Sequence, residues 1–172
     1  MTEDRMADAH SAPADAARAD LRLIIIGAGM SGILSAIKLQ ETGFDDFVIY
    51  EKADRLGGTW RENTYPGIAC DVPSHFYSCS FALNPEWSHR FAPGAEIQAY
   101  LEDVARRDGL NSRIQCRKQI SRCAFENGRW KIEMTERVEK SGVRTRDGRL
   151  HELDVLILAT GFRVDRFVRP IW

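Results

Sequence analysis

Gly27, Gly29 and Gly32 are spaced as GxGxxG in the run Gly27-Ala28-Gly29-Met30-Ser31-Gly32. This spacing suits a diphosphate held by backbone. The first glycine permits a tight turn, the second removes a side chain where the pyrophosphate approaches, and the third lets a helix pack closely on its strand. The residues between them, Met30 and Ser31, would open that helix and offer N–H groups and partial positive charge to the phosphates. The pattern anticipates an acid about twenty positions on, at the end of a second strand, and Glu51 stands there, followed by Lys52. A carboxylate at that point accepts hydrogen bonds from both ribose hydroxyls of an adenosine and repels a 2′-phosphate, which favours FAD or NAD over NADP.

A second cluster, Gly57-Gly58-Thr59-Trp60, follows closely. Its glycines let backbone pass near a ligand, and Thr59 can donate to a phosphate oxygen. A plain dehydrogenase has no need of it. Beyond lie Tyr65-Pro66-Gly67, Asp71, Ser74 and the run Tyr77-Ser78-Cys79-Ser80-Phe81. On the residues alone Asp71 reads as a loop-capping acid, Tyr77 and Phe81 as core aromatics, and Trp60 as packing.

These residues need a scaffold, and the pattern supplies one. Arg22–Ile26 is a short β-branched run, apolar on both faces, as in a buried parallel strand. Met30 to about Thr42 carries Ile33, Leu34, Ile37 and Leu39 at helical spacing, and Gly43 stops it. Phe47–Tyr50 completes a βαβ unit. Lys52 to Pro85 has no clean period, and so long an irregular stretch is uncommon without a function. Glu96–Arg107 reads as an amphipathic helix. Arg113–Gln115, Ile120–Phe125 and Trp130–Met134 read as short antiparallel strands, the last two turned at Asn127–Gly128. Val143–Arg146 and Leu150–Leu153 flank a second turn at Asp147–Gly148. Asp154–Leu158 is a further buried strand leading to Ala159-Thr160-Gly161. The fold class is therefore α/β: a Rossmann-type parallel sheet with a small antiparallel β-meander.

Composition sets the outer limits. The chain has 172 residues, 24 Lys+Arg against 25 Asp+Glu, and 44% apolar residues, which is a globular make-up of single-domain size. Near-neutral charge with no basic block argues against a nucleic-acid partner. No apolar run approaches the roughly 18 residues of a membrane span. Cys70, Cys79, Cys116 and Cys123 form no CxxC pair, so neither a metal site nor a disulfide framework is expected. Residues 1–20 carry no apolar core of a secretory signal and read as a disordered extension. The expected location is the cytoplasm.

The stretch Gly57–Phe81 (GGTWRENTYPGIACDVPSHFYSCSF) resembles the amino-terminal flavin domain of class B flavoprotein monooxygenases, nearest to the Baeyer–Villiger group including the 4-hydroxyacetophenone type. The run from Leu23 to about Met134 fits the same pattern. The resemblance implies FAD as cofactor. Gly27, Gly29 and Gly32 would hold its pyrophosphate and Glu51 its ribose, with Met30, Ser31 and Lys52 beside them. Gly58, Thr59 and Trp60 would lie along it, and Ile120 would present backbone to the adenine. Asp71 and Tyr77 would sit near the isoalloxazine, with Asp71 the one catalytic candidate. Ala159, Thr160 and Gly161 resemble the family's ATG segment.

Two features of that family are missing here: a second glycine loop for NADPH, and the FxGxxxHxxxW signature. Val143–Pro170 resembles the family's late ATG region. The expected organisation is therefore one FAD domain over residues 21–172, in which a first segment, 21–135, runs almost directly into a second, 142–172. In the complete family NADPH reduces the flavin, O₂ adds to give a C4a-peroxyflavin, and this attacks a ketone or similar small organic substrate. The implied function is the FAD-binding portion of such a monooxygenase. The alternatives are a non-catalytic FAD-binding remnant, a subunit that needs a partner chain or self-association at the face where the NADPH domain would dock, and a small NAD-dependent oxidoreductase.

Overall fold

The computed structural model describes residues 21–136 and 146–160. The expected extension at 1–20, the junction near 137–142, Gly161 and the basic tail lie outside the described residues.

A parallel sheet forms the centre, in the order β3-β2-β1-β7, from β1 (Leu23–Ile26), β2 (Phe47–Tyr50), β3 (Ile114–Gln115) and β7 (Val155–Leu158). Alternate residues of a strand face opposite sides, and here both sides are covered. Leu23, Ile25, Phe47 and Ile49 pack into the core on the helical side, while Ile24 and Tyr50 join Ile132 and Leu153 on the other. That is why LIII carries no polar alternation.

Helix α1 (Met30–Glu41) buries Ile33, Ala36 and Ile37. It ends in a Schellman motif: Gly43, at φ +83, donates to Gln40 O at 3.0 Å, and Phe44 donates to Leu39 O at 3.0 Å. A single turn, α2 (Thr59–Glu62), interrupts the stretch expected to be irregular throughout. Helix α3 (Gly94–Arg107) lays Ile97, Leu101, Val104 and Ala105 against the same core.

The other face is covered by an antiparallel meander, β4 (Lys118–Glu126), β5 (Arg129–Glu136) and β6 (Arg146–Leu153). Asn127 and Gly128, at φ 53 and 78, make the expected tight turn between the first two. Two expectations need correction. The segment Arg113–Gln115 does not join the meander: Ile114 and Gln115 pair in parallel with Ile49 and Tyr50 at the edge of the main sheet. Nor does the chain turn back at Asp147–Gly148. β6 runs through it and absorbs the extra residues as an irregularity, pairing His151 with Ile132 but Asp147 with Met134.

The loop between α2 and α3 is tied down by buried polar groups. Ser74, 1% exposed, accepts from Ala92 N–H at 2.7 Å and donates to Arg90 O at 3.1 Å. Tyr100 accepts from Cys79 N–H and donates to Ala82 O, both at 2.8 Å. Among the described residues no helix is long and apolar enough to cross a membrane.

Candidate functional site

β1 delivers the chain into Gly27, whose φ of +104 suits glycine alone, and whose N–H donates to Tyr50 O at 2.8 Å. A Cβ on Gly27 would lie 2.3 Å from Ala159 O, so the turn runs directly beneath the end of β7. A Cβ on Gly32 would lie 1.9 Å from Gly27 O, which fixes how closely α1 sits on β1. Gly29 differs. It is the residue before α1, its φ of −80 is ordinary, and its nearest neighbour is Gly58 Cα, 3.6 Å from a built Cβ. Nothing in the protein itself requires glycine there.

α1 has no side-chain cap and no acid in its first turn. The first N–H with an intrahelical acceptor is that of Ile33, to Gly29 O at 3.0 Å, which leaves those of Met30, Ser31 and Gly32 without one. Opposite stands the Gly57–Gly58 turn, with φ +126 and +55. Gly57 N–H donates to Ala28 O at 2.9 Å, and a Cβ on Gly58 would come within 3.0 Å of Gly29 Cα. Two bare α-carbons thus face each other beside a helix N-terminus.

Glu51 lies beneath the glycine loop and is 4% exposed. Its Oε2 accepts from Ala28 N–H at 2.8 Å and its Oε1 from Ala53 N–H at 2.9 Å. Arg61 Nη1 lies 3.1 Å from the same Oε1. The carboxylate therefore orders the glycine loop directly. Arg61, a residue the sequence reading did not single out, is buried at 9% exposure. It donates to Arg55 O at 2.6 Å and to Glu62 at 2.8 Å, and Lys52 pairs with Glu62 at 3.1 Å. Burial works against ionisation of the Glu62 carboxyl, but Lys52 and Arg61 outweigh it and hold the group below its ordinary value. The clue to Arg61 was the need of a buried Glu51 for a counter-charge. Burial itself is not visible in WRE.

Thr59 is exposed at the start of α2. Trp60 Nε1 donates to Tyr77 OH at 3.1 Å, with the rings edge to face at 5.6 Å, so these two are brought together. Ala159 joins the glycine loop through its N–H to Ile26 O at 2.9 Å, with Thr160 exposed beside it. Ile120 sits in the meander, half-buried against the second core cluster and paired with Met134. Asp71 is exposed in the loop, and among the described residues its carboxylate has no hydrogen-bond or ion-pair partner.

Two surface hollows of about 550 and 380 Å³ lie along α3 near Arg55, Ala99 and Glu102, and Trp60, Arg61 and Gln98 line the smaller one. Neither is lined by the glycine loop. Cys116, on the larger one, is held protonated by burial and by the nearby Glu51 and Asp54 charges, which makes it a poor nucleophile.

A family model described as an NAD(P)-binding Rossmann-like domain matches residues 25–93. A Baeyer–Villiger monooxygenase of Streptomyces coelicolor is 48% identical over 115 residues, covering 66% of this chain and 22% of that protein. An uncharacterised monooxygenase of Mycobacterium tuberculosis is 47% identical over 147 residues, covering 86% of this chain and 28% of its own length. Among solved structures, an oxidised steroid monooxygenase bound to NADP superposes with a TM-score of 0.67 at 30% identity, over 82% of this chain and 26% of that one. An open crystal structure of cyclohexanone monooxygenase gives 0.70 at 27% identity, over 82% and 27%. The chain spans about a quarter of the length of the curated relatives it matches. Over that span, in sequence and in fold, it belongs to the Baeyer–Villiger-type flavin monooxygenases.

Proposed function

We propose that this chain is the FAD-binding part of a flavin-dependent monooxygenase which, when complete, uses NADPH and O₂ to oxygenate a ketone or similar small organic molecule. The observation that carries this is the bare backbone where Gly29 and Gly58 meet: two α-carbons without side chains in contact with each other, next to the three uncommitted N–H groups of α1. A Cβ on Gly29 would meet no obstacle closer than 3.6 Å, so glycine there serves an incoming group. A diphosphate lying over that backbone would match it in charge and hydrogen-bonding.

In this reading Gly27, Gly29, Met30, Ser31, Gly32, Gly58 and Thr59 hold the diphosphate, and Glu51 has a lone pair left for the ribose. Lys52, Trp60, Tyr77, Ile120, Ala159, Thr160 and Gly161 would border the rest of the cofactor. Trp60 and Tyr77, already joined, would stiffen the wall toward the flavin. Asp71 would stand near the ring as the candidate for proton traffic. When bound, FAD would supply the redox and oxygen-activating chemistry. This chain's residues would bind it, orient it and exclude water. The sequence has one GxGxxG, so NADPH would bind on other residues of the complete enzyme or on a partner chain.

The four cysteines are free, which suits a cytoplasmic location. Phe76 at 85% exposure and Leu83 at 68% offer an apolar surface for a partner or for self-association.

The test is titration of the purified chain with FAD. Quenching of flavin fluorescence, with a dissociation constant of about 10 μM or tighter, supports the reading. No binding at ten times that concentration sinks it. NADPH consumption in air with a ketone then separates a working monooxygenase from a non-catalytic FAD-binding chain.

A further inference from the structure

We propose that Gln98, on α3, is a positioning residue that sets the Gly57–Gly58 turn, and so how Gly58 meets Gly29 beside the α1 N-terminus; this rests on the FAD reading above. Gln98 is 8% exposed. Its Nε2 donates both protons, to Leu56 O at 2.9 Å and to Glu102 Oε1 at 2.7 Å. The Leu56 carbonyl immediately precedes Gly57. The amide cannot be reversed, because its oxygen would then face two acceptors.

The amide oxygen has no hydrogen-bond donor. It is pressed against Gly57: a Cβ there would lie 1.8 Å from Oε1, 2.5 Å from Cδ and 2.6 Å from Nε2. The contact available to the oxygen is a weak one, from the Cα–H of a glycine at φ +126. Any other residue at 57 would expel the Gln98 side chain.

From this contact the geometry passes outward in short steps. Gly57 N–H donates to Ala28 O, inside the glycine loop, at 2.9 Å. Gly58, next in chain, turns at φ 55 and ψ −123 and brings its α-carbon face to Gly29. Gln98 thus holds the Gly57–Gly58 turn against the glycine loop. An apolar residue on the same face of α3 as Ile97 and Leu101 could fill the volume. It could not hold Leu56 O, and that carbonyl would be left buried without this donor.

The test compares the full chain with Gln98→Met and Gln98→Leu. Three quantities are read: the FAD dissociation constant, the thermal midpoint, and amide hydrogen exchange at residues 56–58 without FAD. The expected result is FAD binding weakened about ten-fold and faster exchange at Gly57 and Gly58, with the thermal midpoint lowered by a few degrees for the unsatisfied Leu56 carbonyl. Wild-type affinity and exchange in both variants would overturn the role of Gln98 and leave the FAD reading standing. A lower midpoint with unchanged affinity and loop exchange also overturns it, and so does loss of folding in both variants, since each assigns Gln98 to core stability. If the unaltered chain takes up no FAD, the FAD reading itself fails and this inference falls with it.

Discussion

Substituting alanine at Gly29 and at Gly32 separates what the protein needs from what its ligand needs. A methyl at Gly32 would sit 1.9 Å from Gly27 O, more than an ångström inside normal contact, against backbone that cannot rotate away. Overpacking of that kind costs about 1–3 kcal/mol. A carbonyl as the obstacle puts the figure at the top of the range, and the better helix propensity of alanine returns about 1 kcal/mol. The net is a loss of about 2 kcal/mol, or roughly 4–8 °C in Tm for a chain of this size. At Gly29 the added methyl meets only Gly58 Cα at 3.6 Å, with φ −80. Alanine is the poorer residue before a helix but lowers the entropy of the unfolded chain, and the two effects cancel to within about 0.5 kcal/mol. The same methyl covers the bare backbone where the diphosphate would lie, so FAD binding should fall at least ~100-fold, about 2.7 kcal/mol. Urea denaturation and FAD titration of both variants measure the contrast. A Gly29→Ala protein that binds FAD normally would refute that placement of the diphosphate. A Gly32→Ala protein of undiminished stability would refute the packing argument.

Three further outcomes are expected. Glu51→Gln removes the charge opposite buried Arg61 and turns an N–H donor toward Ala28 or Ala53; with Glu62 still 2.8 Å from Arg61, the loss should be about 2 kcal/mol by urea denaturation, with weakened FAD binding. Burial pushes the Tyr100 hydroxyl from 10.0 up to about 12, so the stability it contributes is intact below pH 10 and is lost as pH rises toward 12. That loss, of about 2 kcal/mol, should be absent from the pH profile of Tyr100→Phe. The double change Phe76→Ser and Leu83→Ser removes exposed apolar surface, so Tm should hold while any self-association seen by size-exclusion chromatography diminishes.

What could be read from the chain was what is local. β1, α1, β2 and the Asn127–Gly128 turn each carry their pattern within a few residues, and all four lie where expected. β3 was expected as a strand, but its place in the parallel sheet could not be read from Ile114–Gln115, because two residues carry no period and their partner in β2 is more than sixty positions away. The same holds at Asp147–Gly148: turn chemistry was present, but pairing with β5 on both sides of it carried β6 through. Gly27, Gly29, Gly32 and Glu51 were legible as a set because their spacing is the chemistry. Arg61 and Gln98 were not. Each became a buried polar residue only through contacts made at long range or across a turn, with Glu51 and with Leu56.

The second glycine pair weighs the flavin against a simple nicotinamide reading. GxGxxG with Glu51 would serve either cofactor, and the family model matched over residues 25–93 is described as an NAD(P)-binding Rossmann-like domain. Gly57 and Gly58, at φ +126 and +55, add two residues in a conformation that costs the unfolded chain extra entropy to fix. That cost is not offset by apolar burial: Gly57 is packed on an amide, and Gly58 faces an empty α-carbon. The Gln98 amide accounts for glycine at 57 and the contact with Gly29 for glycine at 58, and together they leave bare backbone beside the α1 N-terminus. A cofactor that continues past the diphosphate, alongside Thr59, Trp60 and Tyr77, makes use of that surface, and FAD does so.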